Sequence, residues 1–166
     1  VIDHATGTRD LTKLSGIGRQ LPVLAGAAAL AAASMAGIPP LLGFVAKESA
    51  LEALVYLAGG DGTGLTPAPG ILLVLAVVLG SALTMAYSLR FWWVAFWAKP
   101  GVGPTRINHA PELGFVGVPT LLGLLCLAGG FLGPQLTHVL EPYAASVPTG
   151  EHGHGLALWH GFTLPL

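Results

Sequence analysis

Three stretches of this chain carry no Asp, Glu, Lys or Arg: Gln20 to Ala46, Gly62 to Leu89, and Leu113 to Leu140. Crossing ~30 Å of hydrocarbon takes about 20 helical residues, and each gap is longer than that. Only 9% of the 166 residues are charged and 53% are hydrophobic. A soluble domain carries roughly 25% charged residues, so too few polar groups are present here to cover a water-facing surface. The net charge of −1 and the scattered basic residues exclude an electrostatic nucleic-acid footprint. Cys126 is the single cysteine, which excludes a disulfide framework and a cysteine-based metal site. Val1 is not an initiator methionine and Leu166 stops in mid-pattern, so the chain reads as a fragment of a longer polytopic protein.

Charges and turn residues divide the chain. The expected organisation is the end of a preceding helix and a cytoplasmic connector at 1–20, then a discontinuous transmembrane helix at 21–57. An external loop at 58–70 leads to a transmembrane helix at 71–98. A cytoplasmic loop at 99–112 precedes a third span at 113–133. A long external loop at 134–155, with Pro134, Pro142, Pro148 and three histidines, ends at the start of a further span at 156–166. The fold class is all-α: a polytopic transmembrane helical bundle fragment with one Pro-broken helix. Sidedness follows from Arg9, Lys13 and Arg19 in the first connector and Lys99 and Arg106 in the third, because basic loops stay in the cytoplasm. Trp92, Trp93 and Trp97 are expected as an interfacial aromatic belt beside Lys99.

The stretch from 21 to 57 is the unusual one. As one straight helix it would be ~55 Å long, almost twice the hydrocarbon thickness. Gly37-Ile38-Pro39-Pro40 interrupts it. Two prolines without N–H groups deprive the carbonyls of Met35 and Ala36 of their i+4 donors. A tight hairpin and a single broken crossing both fit such a break. The hairpin would put Lys99 and Arg106 outside, so charge asymmetry favours one crossing. Freed carbonyls are tolerated in a membrane only inside protein or beside a wet cavity, and broken helices recur where transporters handle ions.

Just past the break come Lys47, Glu48 and, one turn on, Glu52. Glu48 and Glu52 share a helix face, while Lys47 points ~100° away. An intramembrane lysine costs about 2.5–3.5 kcal/mol at helix centre on insertion scales. It persists when it faces the bundle interior, a water path or a counter-charge. Burial disfavours the charged form of a lysine, which suits such a group to loading and releasing protons. A Lys–Glu structural pair or a snorkelling lysine is the competing reading, and the adjoining break weighs toward an ion path. Arg90, inside the second span, reads first as snorkelling or structural, and second as an ion-path residue. Glu151-His152-Gly153-His154 offers two histidines but no further ligand, so no metal site is expected there. His160 reads as an interfacial anchor. No cofactor-binding motif or nucleophile–base constellation stands out.

The run Met35-Ala36-Gly37-Ile38-Pro39-Pro40, then Gly43-Phe44 and Lys47-Glu48, resembles the broken helix of the antiporter-like subunits. Respiratory complex I, membrane-bound hydrogenases and Mrp-type cation/proton antiporters share these subunits. His4-Ala5-Thr6-Gly7-Thr8-Arg9-Asp10 and Leu158-Trp159-His160-Gly161-Phe162 resemble the large A-type component of the Mrp branch. The resemblance implies a secondary transporter subunit rather than an enzyme, in a bacterial cell membrane, exchanging Na+ or another monovalent cation for protons. It implies partner subunits in a multisubunit complex and no cofactor. It implies a proton half-channel in which Lys47 relays protons along a central hydrated axis, and an earlier half-channel preceding Val1. The acidic neighbours Glu48 and Glu52 are expected to share the path. His4 resembles a histidine close to that axis or else is a helix-end polar residue. A proton-pumping subunit of complex I is the alternative within transport. The alternative outside it is a structural membrane subunit with no ion path.

Overall fold

The computed structural model describes residues 1–59 and 67–144. The expected span at 156–166, the motif at 151–154, His160 and the far part of the 134–155 loop lie outside the described residues. So does the middle of the 58–70 loop. The helices are α1 (Ile2–Thr6), α2 (Ile17–Gln20), α3 (Pro22–Ala36), α4 (Leu42–Gly59), α5 (Pro67–Phe96), α6 (Leu113–Phe131) and α7 (Gly133–Ala144). No strand occurs among the described residues.

Local chemistry explains the long elements. Helix α3 begins on Pro22, which needs no hydrogen-bond partner in the first turn, and continues through an alanine run of the highest helix propensity. Helix α5 is an unbroken run of 30 residues, ~45 Å at 1.5 Å each. Ala68–Phe96 and Leu113–Phe131 are long and apolar enough to cross a membrane. Their outward faces are bare hydrocarbon: Leu79 is 63% exposed, Leu83 61% and Leu121 58%. Left in water, that surface would forfeit roughly 25 cal/mol of burial free energy per Å² of apolar area. Lipid carries no such penalty, and the helices accordingly pack through small residues. A side-chain carbon added at Gly123 would lie 3.3 Å from Leu30, and one at Gly129 equally close to Leu42.

The order of contacts fixes the path of the chain. Trp92 Nε1 donates to the Ala25 carbonyl at 2.9 Å, near the start of α3. At the other end, Gly70 of α5 packs on the backbone of Ala58 in α4. Helices α3 and α4 therefore follow one another along α5 in a single antiparallel pass. Helix α6 runs alongside in their own direction, with Gly123 on α3 and Gly129 at the start of α4.

One end of the bundle is stitched by hydrogen bonds between the segment before α3 and the segment after α5. Gly16 N–H donates to the Trp97 carbonyl at 3.0 Å, and Thr105 N–H to that of Ser15 at 2.9 Å. Ser15 N–H donates to Thr105 Oγ1 at 2.7 Å, and Lys99 Nζ to the Leu11 carbonyl at 2.6 Å. Beneath them Leu14, Ile17, Leu24, Ala25, Ala95 and Phe96 form the buried cluster. The two connectors thus lie on the same side of the bundle.

Two expectations need correction. Residues 134–144 of the expected 134–155 loop are helical, as part of α7, and α4 and α5 extend into both ends of the expected 58–70 loop. Pro134 sits in the first turn of α7, where its missing N–H costs no bond, and Pro142 lies in the last turn. The tryptophans also divide. Trp93 and Trp97 stack on the exposed face at 4.6 Å between ring centres, whereas half-buried Trp92 ties α5 to α3.

Candidate functional site

The break between α3 and α4 is built from both sides. Helix α3 ends at Gly37, whose φ of +79° is the left-handed conformation that only glycine adopts readily. Gly37 N–H turns back to the carbonyls of Ala33 and Ser34, and Ile38 N–H to that of Ala33 at 3.0 Å. These bonds satisfy the last turn up to Ser34 and leave Met35 and Ala36, whose i+4 residues are Pro39 and Pro40. Pro39 and Pro40 are joined by a cis peptide bond.

Lys47 supplies the donor that Met35 lacks. Its Nζ donates to the Met35 carbonyl at 2.8 Å. The geometry follows from helix stereochemistry: side chains lean toward the N-terminus of their own helix, so a long residue in the second turn of α4 reaches back over the first turn. There it meets the C-terminal end of α3, where the aligned peptide dipoles favour a cation. The path passes directly over Gly37, where an added Cβ would sit 2.8 Å from Lys47 Cδ.

Ser34 returns the exchange. Its Oγ accepts from Gly43 N–H at 3.3 Å, satisfying a donor in the first turn of α4. Gly43 is pressed against the Ser34 carbonyl with no room for a side chain. From the other side α6 closes over the break. Gly130 meets the Pro40 carbonyl so closely that any Cβ would overlap it. Ser34, Gly129 and Gly130 escaped the sequence reading; the signals were a lone hydroxyl in an alanine run and an adjacent glycine pair in an apolar span.

The remaining expected site residues are placed as follows. Lys47 and Glu48 are both partly buried, but the Lys47 ammonium turns to a carbonyl instead of to Glu48. Glu52 is exposed on α4 one turn beyond Glu48. His4 is not brought to the break. Its ring stacks on Phe115 of α6 at 5.6 Å, with His109 edge-on at 6.4 Å. Phe115 and Gly129 are ~21 Å apart along α6, so His4 and Lys47 occupy opposite regions of the bundle. Arg90 is exposed on α5. Among the described residues no group of three or more His, Cys, Asp or Glu could hold a metal ion.

Electrostatics in the first connector is local. Arg9 Nε donates to Asp3 Oδ2 at 2.7 Å, and this carboxylate raises the guanidinium further above its ordinary value. Asp10 accepts from the Thr12 hydroxyl at 2.6 Å and from Thr12 N–H at 2.9 Å. Those bonds, with Lys13 nearby, hold its carboxyl below the usual range.

Residues 1–61, which contain the whole break and Lys47, match the family described as NADH:quinone oxidoreductase/Mrp antiporter, TM. Over its full length the chain is 34% identical to the A-type component of the Na(+)/H(+) antiporter of Alkalihalophilus pseudofirmus. The chain belongs to this antiporter family. It is also 32% identical over 98% of its length to the A1 component of the Na(+)/H(+) antiporter of Staphylococcus haemolyticus. To the A/B component of a probable K(+)/H(+) antiporter of Rhizobium meliloti it is 31% identical over its full length. The chain spans 22%, 20% and 16% of these three antiporter subunits respectively. The match to them runs well past the break, through α5, α6 and α7.

Proposed function

We propose that this chain is part of the membrane subunit of a multisubunit cation/proton antiporter, in which Lys47 relays protons at the helix break. The observation that carries the reading is the bond from Lys47 Nζ to the Met35 carbonyl. A titratable amine stands at an interrupted helix, flanked by Glu48 and Glu52 as proton acceptors along α4. Protons would pass by changes in protonation along this row, joined by water, with a monovalent cation moving the other way elsewhere in the complex. Moving one charge through 100 mV is worth about 2.3 kcal/mol, which sets the energy available per proton. Na+ is the cation favoured by the names of two of the relatives, while K(+) appears in the third. The hydrogen-bonded connectors and their basic residues support a cytoplasmic face at that end of the bundle and a single crossing by α3 and α4. With His4 at that end, its share in the path is an approach to the membrane rather than a step beside Lys47.

A second reading has its own observation. A cation at the end of α3 also acts as a fixed cap, and that role needs charge and reach but no proton release. Arginine separates the two readings, because it keeps the charge and the donors yet is effectively never deprotonated. The test is cation-dependent proton flux in vesicles at matched levels of assembled complex. The relay predicts that Lys47→Arg falls close to Lys47→Ala. Near-normal flux in the Arg variant beside a dead Ala variant would leave only the cap.

A further inference from the structure

A second concave site lies at the stitched end, far from the break. Between α2 and the segment joining α5 to α6 is a cleft of about 610 Å³ whose lining includes Ser15, Arg19, Gln20, Val102, Thr105 and Arg106. Its walls are fixed: Gln20 Nε2 donates to the Thr105 carbonyl at 2.8 Å, beneath the Ser15–Thr105 pair already described. No carboxylate lines it.

The basic residues at this end fall into two sets. Arg9 is paired with Asp3, Lys13 with Asp10 at 3.7 Å, and Lys99 Nζ is consumed by the Leu11 carbonyl. Arg19 and Arg106 have no side-chain hydrogen bond or ion pair among the described residues, and both face the one cleft. Two planar guanidiniums on a preformed concave wall suit the oxygens of a phosphate, which they bind in bidentate fashion. The level is that of a membrane interface: Trp93 and Trp97 stack on the outer face of α5 just before Ala98, which also lines the cleft. Val23 nearby leaves 58% of its surface bare at the start of α3.

We infer that this cleft binds the phosphodiester headgroup of an anionic phospholipid, held by Arg19 and Arg106, with the acyl chains along the apolar faces of α3 and α5. The inference rests on the membrane reading above, but its test uses no transport measurement, so each can fail alone.

The test uses the assembled antiporter complex in detergent, titrated with short-chain phosphatidylglycerol, short-chain phosphatidylcholine and inorganic phosphate. Saturable binding of phosphatidylglycerol is expected, about fivefold weaker in Arg19→Gln or Arg106→Gln and about 25-fold weaker in the double variant. Lys13→Gln, whose charge is already paired, should bind as wild type does. A photoactivatable phosphatidylglycerol should label residues 98–107 of the wild-type chain, a readout that needs no variant. Unchanged binding in the double variant, or label confined to other segments, overturns the proposal. So does equal affinity for phosphatidylcholine. Displacement by inorganic phosphate at the same concentration would make this a free-phosphate site. Release of a neighbouring subunit by the arginine variants would make it a protein interface.

Discussion

Gly37→Ala tests the construction of the break with a single methyl group. Two costs can be read from the structure. The residue sits at φ +79°, and a Cβ in the left-handed region costs about 1–2 kcal/mol. The same Cβ would stand 2.8 Å from Lys47 Cδ, so the lysine must swing aside. If it thereby releases the Met35 carbonyl, a charge-assisted hydrogen bond of about 1.5–3 kcal/mol goes with it. The sum is about 2.5–5 kcal/mol, against about 1–2 kcal/mol if Lys47 finds another route to the same oxygen.

Gly26→Ala is the matched control, since Gly26 lies within α3 with nothing within 4 Å of its added Cβ. That change should be neutral or stabilising by up to about 1 kcal/mol through helix propensity. Gly37→Asn divides the two costs, because asparagine tolerates the left-handed region yet still places a Cβ against Lys47. The assay is the temperature at which the assembled complex disperses in detergent, alongside proton flux in vesicles. Gly37→Ala should lower both, while Gly37→Asn should recover only the backbone part of the stability, about 1–2 kcal/mol, and little of the flux. If Gly37→Ala matched Gly26→Ala in both measurements, the glycine would be incidental and the Lys47–Met35 bond irrelevant to transport.

Other perturbations probe the same arrangement. Gly130→Ala forces α6 off the Pro40 carbonyl and should destabilise by about 1–3 kcal/mol, whereas Gly117→Ala, with open space around it, should not; thermal dispersal of the complex distinguishes them. Replacing Pro39 and Pro40 by alanine returns the N–H that Met35 lacks and favours a continuous helix, so flux should fall while assembly persists; normal flux through a straightened helix would contradict the proposed site. Asp10 is held below its ordinary value, so its contribution to stability is full above the usual carboxylate range, near 3.9, and is lost as pH falls through the depressed folded value. The stability difference between wild type and Asp10→Asn should therefore be present at pH 7 and vanish in acid, as read from dispersal temperatures across pH.

How much of this was legible in the sequence differs from element to element. The two long spans were, because a charge-free apolar run of that length has one economical solution in lipid, and α5 and α6 lie where the gaps lie. The break was legible too, since two consecutive prolines cannot donate to the carbonyls four residues before them. The helix at 133–144 was not. Pro134 reads as a helix breaker unless it is known to occupy a first turn, and that depends on where α6 stops. Trp92 was misjudged for a related reason: three tryptophans in six residues look alike in sequence, but at helical spacing they cannot all face lipid. The residues over the break were invisible because Gly130 matters only through the approach of another segment's backbone, which no local pattern encodes.

The link between Lys47 and Met35 shows where sequence reasoning stops. Both halves were available: a carbonyl without its donor, and a lysine in an apolar span twelve residues later. What joins them is the direction of α4 as it leaves Leu41, which a handful of backbone torsions decides. With α4 placed, the two helix ends complete each other, Lys47 donating to α3 and Ser34 accepting from α4. This exchange also helps an interruption survive within an apolar span. A carbonyl of α3 and an amide of α4 each meet a group they would otherwise lack, and in the proposed relay the lysine would serve this backbone need and carry a proton as well. A group with only the structural duty would tolerate replacement by any long cation. A group with both duties would not, because the donor that holds the break together would also have to let its proton go. When it does, the neutral amine still has hydrogens to offer Met35, whereas an alanine has none. On the relay reading, deprotonation would weaken the cap without removing it, and the break would keep its shape between loading and release.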